Sequence, residues 1–194
     1  VGLAKGAEML QTAKDQAATT IKKELETITG FIDRVKNQSH RTGDGKVHVH
    51  TEADTSTLIF DWLDGQEKAV TPFMSEEEIA VAREIRVYLK EWATRLKLPE
   101  ESQISKYITH IFERKVEGKE NQFVDPELAA IMAENVAKSV YDPFLQKRLG
   151  AQDYVHDAWR ALDAYVKRAS RKEAMDPALE ELARMSENLD QNTY

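Results

Sequence analysis

Apolar residues recur every three or four positions along most of the chain, which is the spacing of one face of an α-helix. The first stripe predicts a long helix over about 3–35, whose second half alternates steps of four and three, as in a coiled coil. Such a narrow seam packs against one or two neighbours. This helix therefore lies on its own domain, which is the more ordinary arrangement, or meets a partner chain. The seam residues, our candidate partner-binding set, are Ile21, Leu25, Ile28, Ile32 and Val35.

Helix-start signals divide the rest of the chain into separate predicted helices. Ser75 with Glu78 matches a capping box, in which each side chain bonds to the other residue's backbone. Asp125-Pro126, Asp142-Pro143 and Asp176-Pro177 each place an Asp cap before a proline at the first helical position. We therefore predict an all-α fold, an irregular bundle of about seven or eight helices. The further helices are predicted over 58–63, 76–96, 104–112, 128–140, 143–150, 155–169 and 177–189.

One polar stretch, 37–54, interrupts the helices. Its turn signal at Gly43-Asp44-Gly45 precedes a segment that alternates at period two, which predicts at most one short hairpin. The chain then divides into three parts: a long N-terminal helix over 1–36, which is a candidate oligomerisation or partner arm, the polar loop or hairpin over 37–54, and a helical body over 55–190. The largest apolar side chains of the body should be buried: Trp62, Trp92, Trp159, Leu162 and Tyr165.

The composition argues against several classes of function. The 34 acidic and 27 basic side chains give a net charge of -7, which argues against wholesale binding to nucleic acid or to an anionic membrane. The sequence has no cysteine, so it offers no disulfide, no thiolate nucleophile and no cysteine ligand for zinc. Its apolar runs are far shorter than the roughly 20 residues of a membrane-spanning helix, so we expect no membrane span.

The sequence contains none of the common catalytic motifs. It lacks G-x-G-x-x-G, G-x-S-x-G and H-E-x-x-H, the patterns of dinucleotide binding, of a hydrolase nucleophile and of a zinc protease. His110 with Tyr107 and Glu113 could supply a general acid, but such a set is more typical of an ordinary helix. We therefore expect no enzymatic activity and no cofactor, and no small-molecule substrate is indicated.

The sharpest chemical candidate is a group of histidines in the polar stretch. A hairpin centred on Asp44 would place His40 opposite His48, and His50 would share a face with His48. Three converging imidazoles could bind zinc or nickel, with a nearby carboxylate as the fourth ligand. The alternative, which we favour, is a set of solvated loop histidines, because nothing in the sequence fixes the hairpin. We therefore expect no metal.

A basic face near the C-terminal end is the second candidate. Between Lys147 and Lys172 seven basic residues stand against three acids, a local balance of +4. Cations at helical spacing could follow the phosphates of a nucleic acid. The alternative that we favour is a solvated face, because the rest of the chain is acidic. The candidate nucleic-acid residues are Arg160, Lys167, Arg168, Arg171 and Lys172.

Three segments carry a resemblance to a group of known proteins. The segments 104–112, 144–150 and 161–169 resemble helical parts of very large phage and prophage proteins, often called polyvalent proteins, and the resemblance covers about the last half of the chain. Those proteins string enzymatic and structural domains along one chain that is thought to travel with injected DNA. The resemblance implies an all-helical accessory module located in the virion or the host cytoplasm, and it carries over no catalytic residue.

These observations lead to one expectation and two alternatives. The chain begins with Val1, and we expect it to be part of a longer polypeptide. We expect a non-enzymatic structural or interaction module of a phage or mobile-element protein, acting through a protein partner or through self-association. The alternatives are an accessory module that contacts nucleic acid through the basic face, and a fragment of a larger enzyme.

Overall fold

The computed structural model describes residues 2–41, 43–98, 111–112 and 154–191, and most of these residues are helical, as predicted. The predicted number of helices is not confirmed, because 99–110 and 113–153 lie outside the described residues. The predicted helix starts at Asp125 and Asp142, and the set around His110, lie outside the described residues too.

The described helices are α1 (Gly2–Arg34), α2 (Glu52–Asp61), α3 (Glu67–Val70), α4 (Glu76–Arg95) and α5 (Ala158–Gln191). A π-helical segment (Trp62–Gln66) and a 3-10 turn (Thr71–Phe73) lie between α2 and α4.

Two pairs of short antiparallel strands accompany the helices. The predicted hairpin is present as β1 (Ser39–Arg41) and β2 (Val47–Val49). A second pair joins β3 (Ile111–Phe112) to β4 (Tyr154–Val155), which is one strand pair more than predicted. Helical structure at Ile111, Phe112 and Val155 was therefore a wrong prediction. Strand pairing depends on the partner strand, and a partner about forty positions away leaves no periodic signal in either segment.

The long helices α1 and α5 form an antiparallel pair, which is the most extensive contact between elements in the described part of the chain. The start of α1 lies beside the far end of α5, where a Cβ added to Gly6 would stand 2.8 Å from Cδ2 of Leu182. Further along α1, Ala13 and Ala17 are buried, and such small side chains allow the two backbones to approach closely. The pair is therefore packed by small residues at this end and by larger ones in the main core.

Helix α5 runs without interruption through Pro177, so the prediction of a new helix starting at Asp176 was wrong. The carboxylate of Asp176 forms an ion pair with Nζ of Lys172 at 2.7 Å, one helical turn earlier. A proline inside a helix removes one backbone hydrogen bond and usually kinks the helix. Packing against α1 gives this helix support that the local sequence pattern does not show.

The main core lies where α1, α2, α4 and α5 meet. All five side chains predicted to form it are buried. After the helix predicted over 58–63, Gly65 has a φ of 99°, a conformation that favours glycine and interrupts helical geometry. The capping box of Ser75 and Glu78 begins α4 as predicted. The start of α4 lies beside the β1–β2 hairpin, because Glu78 of its first turn contacts His50, the residue after β2.

Candidate functional site

The β1–β2 hairpin has the register expected from a turn centred on Asp44. His40 pairs with His48, and Arg41 pairs with Val47. Gly45 takes a φ of 83°, and Oδ1 of Asp44 accepts a hydrogen bond from the backbone N–H of Lys46 at 3.2 Å. The backbone N–H of the residue after β2 also donates to the carbonyl of the residue before β1, at 2.8 Å. The turn residues therefore fix this hairpin locally.

The three histidines of the polar stretch converge on one side of the hairpin. Their ring centroids are 5.4 Å apart for His40 and His48, 5.0 Å for His40 and His50, and 5.7 Å for His48 and His50. His50 is only 5% exposed, and the edge of the Phe73 ring packs on His40. The interpretation as solvated loop histidines therefore fails for His50.

Glu78 holds His50 in place from the first turn of α4. Its carboxylate is fully buried, and Oε1 lies 2.7 Å from Nδ1 of His50. The same oxygen accepts a bond from the hydroxyl of Thr55 at 2.9 Å, and Oε2 accepts one from the backbone N–H of Ser75 at 2.7 Å. One carboxylate thus completes the cap of α4 and joins that helix to α2 and to the hairpin.

The hydrogen bonds of this cluster fix the position of one proton. An ionised carboxylate only accepts, so with Glu78 ionised the geometry assigns a proton to Nδ1 of His50, which donates it. The other ring nitrogen of His50, Nε2, lies 2.7 Å from Nδ1 of His40, so these two nitrogens share a second hydrogen bond. The result is a chain of contacts from the half-buried His40 through buried His50 to buried Glu78.

This arrangement gives no support to the metal alternative at His40, His48 and His50. Among the described residues, no group of three or more His, Asp or Glu side chains is placed to hold a metal ion. The nitrogens of His40 and His50 are 2.7 Å apart, whereas two nitrogens on one tetrahedral zinc are separated by about 3.3 Å. The two rings are instead placed to hydrogen-bond to each other.

A further carboxylate faces the cluster from α2. Hydrogen bonds from the backbone N–H and the hydroxyl of Thr51 lower the pKa of Asp54, and the nearby charges of His48 and His50 lower it further. These bonds belong to a second capping box at the start of α2, which our sequence analysis did not identify. The histidine cluster is therefore bordered by carboxylates on both α2 and α4.

A second polar network crosses the helical core, and sequence reasoning missed it. Glu24 of α1 is buried and accepts a hydrogen bond from the hydroxyl of Tyr88 at 2.6 Å. Arg95 of α4 bonds to Glu24 at 3.4 Å and to Glu173 of α5 at 2.7 Å. Burial raises the pKa of Tyr88, and the bond to Glu24 raises it further. This network ties three helices together.

The candidate partner-binding seam packs largely within this chain. Ile28 and Val35 are buried in the main core, and Leu25 and Ile32 are half-buried against it. Ile21 is also half-buried. The buried face of α1 includes Glu24 and Phe31, which the seam omitted.

The candidate basic face is mostly neutralised or covered. Lys167 pairs with Asp163 at 2.8 Å, and the Lys172 side chain, 11% exposed, pairs with Asp176. Arg168 is buried. The other two candidates, Arg160 and Arg171, are half-buried and have interactions of their own.

Comparison with family models, with curated proteins and with solved structures gives no significant match to this chain. Within the described ranges, no helix combines the length and apolar character needed to cross a membrane.

Proposed function

We propose that this chain is a non-enzymatic helical interaction module of a phage or mobile-element protein, associated with the virion or present in the host cytoplasm, and that it self-associates through the β1–β2 hairpin. The observation that supports this most is the exposure of two apolar side chains on one strand. Val47 and Val49 are 59% and 61% exposed. Because alternate residues of a strand share a face, the two valines form one apolar strip.

The hairpin is suited to a contact because its inner face is held by the body while its outer surface stays exposed. The inner face carries His40 and His48 towards the buried pair of His50 and Glu78. The β1–β2 sheet has only two strands within the described residues, so each strand has an outer edge without a strand partner there. Such edges and exposed valines are typical of surfaces that pair with another chain.

A second copy of this chain fits the hairpin surface by its charges. The hairpin carries the exposed cation of Arg41 and an exposed ion pair, in which Nζ of Lys46 lies 2.9 Å from the carboxylate of Asp44, around the valine strip. Two hairpins related by a two-fold axis can set Arg41 of one copy against the Asp44–Lys46 pair of the other, where the carboxylate accepts a second cation. A two-fold contact uses the same patch on both copies, so one surface suffices.

The other candidate surfaces are less open to a partner than the hairpin. Ile28 and Val35 of the α1 seam are covered by this chain, while the half-buried Ile21, Leu25 and Ile32 remain candidate contacts for a protein partner. Contact with nucleic acid through the basic face stays a prediction, and the ion pairs at that face do not favour it.

The test is a matched pair of variants in light scattering. Val47→Ser with Val49→Ser should lower the concentration-dependent mass of the protein measured over about a hundredfold range of concentration. Val87→Ser makes the same chemical change on α4, at a side chain that is 56% exposed, and should leave the mass unchanged. A wild-type protein that stays monomeric throughout, or an equal effect of both variants, would refute the proposal.

A further inference from the structure

The rings of His40 and His50 are in direct contact, with Nδ1 of His40 2.7 Å from Nε2 of His50. This contact joins a half-buried ring on β1 to a fully enclosed ring next to β2, and the hairpin residues themselves are mostly exposed. The side-chain contacts between hairpin and body include the ring of Phe73 against His40 and the chain from His40 through His50 to Glu78. The number of protons on the two rings therefore bears on one of the contacts that hold the hairpin.

We propose that the His40–His50 contact is a proton-dependent latch, which holds the β1–β2 hairpin on the body while the two facing nitrogens share one proton and releases it when each carries its own.

The first argument is the number of protons that the contact can hold. With both rings neutral, Nδ1–H of His40 donates to Nε2 of His50, while Nδ1–H of His50 donates to Glu78. When one proton is added, His50 becomes an imidazolium between Glu78 and His40, and its Nε2–H donates to a neutral His40. Both states keep every hydrogen bond, so the first proton leaves the latch closed.

The second proton cannot be accommodated in the same way. If His40 is also an imidazolium, two N–H groups point at each other across 2.7 Å, so the bond between the rings is lost. Two cations then face each other with ring centroids 5.0 Å apart. His50 keeps its buried partner Glu78, so His40 and its strand are the part that moves away.

The charged groups around His40 and His50 leave the repulsion between the two protonated rings in place. His48 on β2 adds a third positive charge when it is protonated, at 5.4 Å from His40 and 5.7 Å from His50 between ring centroids. Asp54 on α2 and Glu78 on α4 are the carboxylates that face the cluster. Glu78 is already bonded to His50, and Asp54 is bonded to Thr51, so neither is placed to separate the two rings.

The latch is tested by ring-nitrogen NMR together with amide hydrogen exchange between about pH 8 and about pH 5, the range in which histidines change charge. His40 and His50 should gain protons in two separate steps. Protection of the hairpin amides, corrected for the intrinsic rate at each pH, should fall at least about tenfold with the second step. A single shared step, or unchanged protection at pH 5, would overturn the proposal.

Two variants separate the latch from general acid sensitivity. His40→Asn keeps a polar group near the position of Nδ1 but does not titrate, so its hairpin should stay protected at pH 5. His48→Asn removes a neighbouring histidine that is outside the contact, so its hairpin should still open. Opening in His40→Asn, or loss of the wild-type transition when EDTA is present, would contradict the latch. Because the wild-type measurement needs no self-association, its outcome is independent of the proposed function.

Discussion

His50 and Glu78 form a buried pair across 28 positions of sequence, with Nδ1 of the histidine 2.7 Å from Oε1 of the carboxylate. The same carboxylate caps α4 through Ser75 and bonds to Thr55 of α2. One side chain therefore takes part both in the cap of α4 and in the contact between that helix and the hairpin that carries Val47 and Val49.

Glu78→Gln should destabilise the protein by about 1 to 3 kcal/mol, because the amide has one accepting oxygen in place of two and leaves a buried donor without its charged acceptor. Glu76→Gln is the matched control, since Glu76 lies in the same first turn of α4 but is exposed. Chemical denaturation measures both free energies of unfolding. Equal effects of the two substitutions would show that Glu78 acts only as one of several first-turn acids.

Leu162→Ala should cost about 2 to 5 kcal/mol of the free energy of unfolding, because the side chain is fully buried in the main core. Leu179→Ala, also on α5 but at an exposed position, should change stability by less than about 0.5 kcal/mol. Thermal or urea unfolding of the two variants measures the difference. Similar losses at both positions would mean that the buried face of α5 is incorrectly assigned.

Tyr88 should make the protein less stable in alkaline solution. Its pKa is raised in the folded state by burial and by the bond to Glu24, so its contribution is fully present below the unfolded pKa of about 10. Above that pH, the unfolded state loses the phenol proton first, and stability falls by up to about 1.4 kcal/mol per pH unit. Urea unfolding of wild type and Tyr88→Phe between about pH 8 and pH 11 should show the steeper decline in the wild type, and parallel curves would argue against the buried phenol.

Because cations on α5 are paired with carboxylates, we expect the protein not to bind duplex DNA even at about 50 mM salt, where exposed charges are little screened. Fluorescence anisotropy with a labelled duplex measures this directly. If binding does occur, changing Lys167 and Arg171 to Gln should lower the slope of log affinity against log salt by about 0.9 for each lost phosphate contact. That result would favour the nucleic-acid alternative over the interaction module.

Local signals predicted the elements that depend on neighbouring residues. The Asp44 turn gives the hairpin its register, and the capping box of Ser75 and Glu78 begins α4, because both involve contacts over a few positions. The strand pair of β3 and β4 and the passage of α5 through Pro177 depend on distant packing, so periodicity and capping rules mispredicted them.

The candidate site was predictable only in part. Strand period and turn position allowed His40, His48 and His50 to converge, but solvated loop histidines were the favoured interpretation, and the structure brings the three rings together. The contact of His50 with Glu78 could not be predicted from the sequence, because the capping box alone already explained the presence of Glu78. Glu24 was missed for a similar reason, since a charged residue in an amphipathic helix is usually assigned to the solvent face.

The most direct test of the self-association proposal is an isotope-filtered NMR experiment on a mixture of two samples, one with labelled valine methyl groups and one deuterated with visible amides. Intermolecular signals should connect the methyl groups of Val47 and Val49 to hairpin amides of the second copy, and no such signal should involve Val87 of α4. The absence of hairpin signals at concentrations where the protein associates, or signals at Val87 in their place, would contradict self-association through the hairpin.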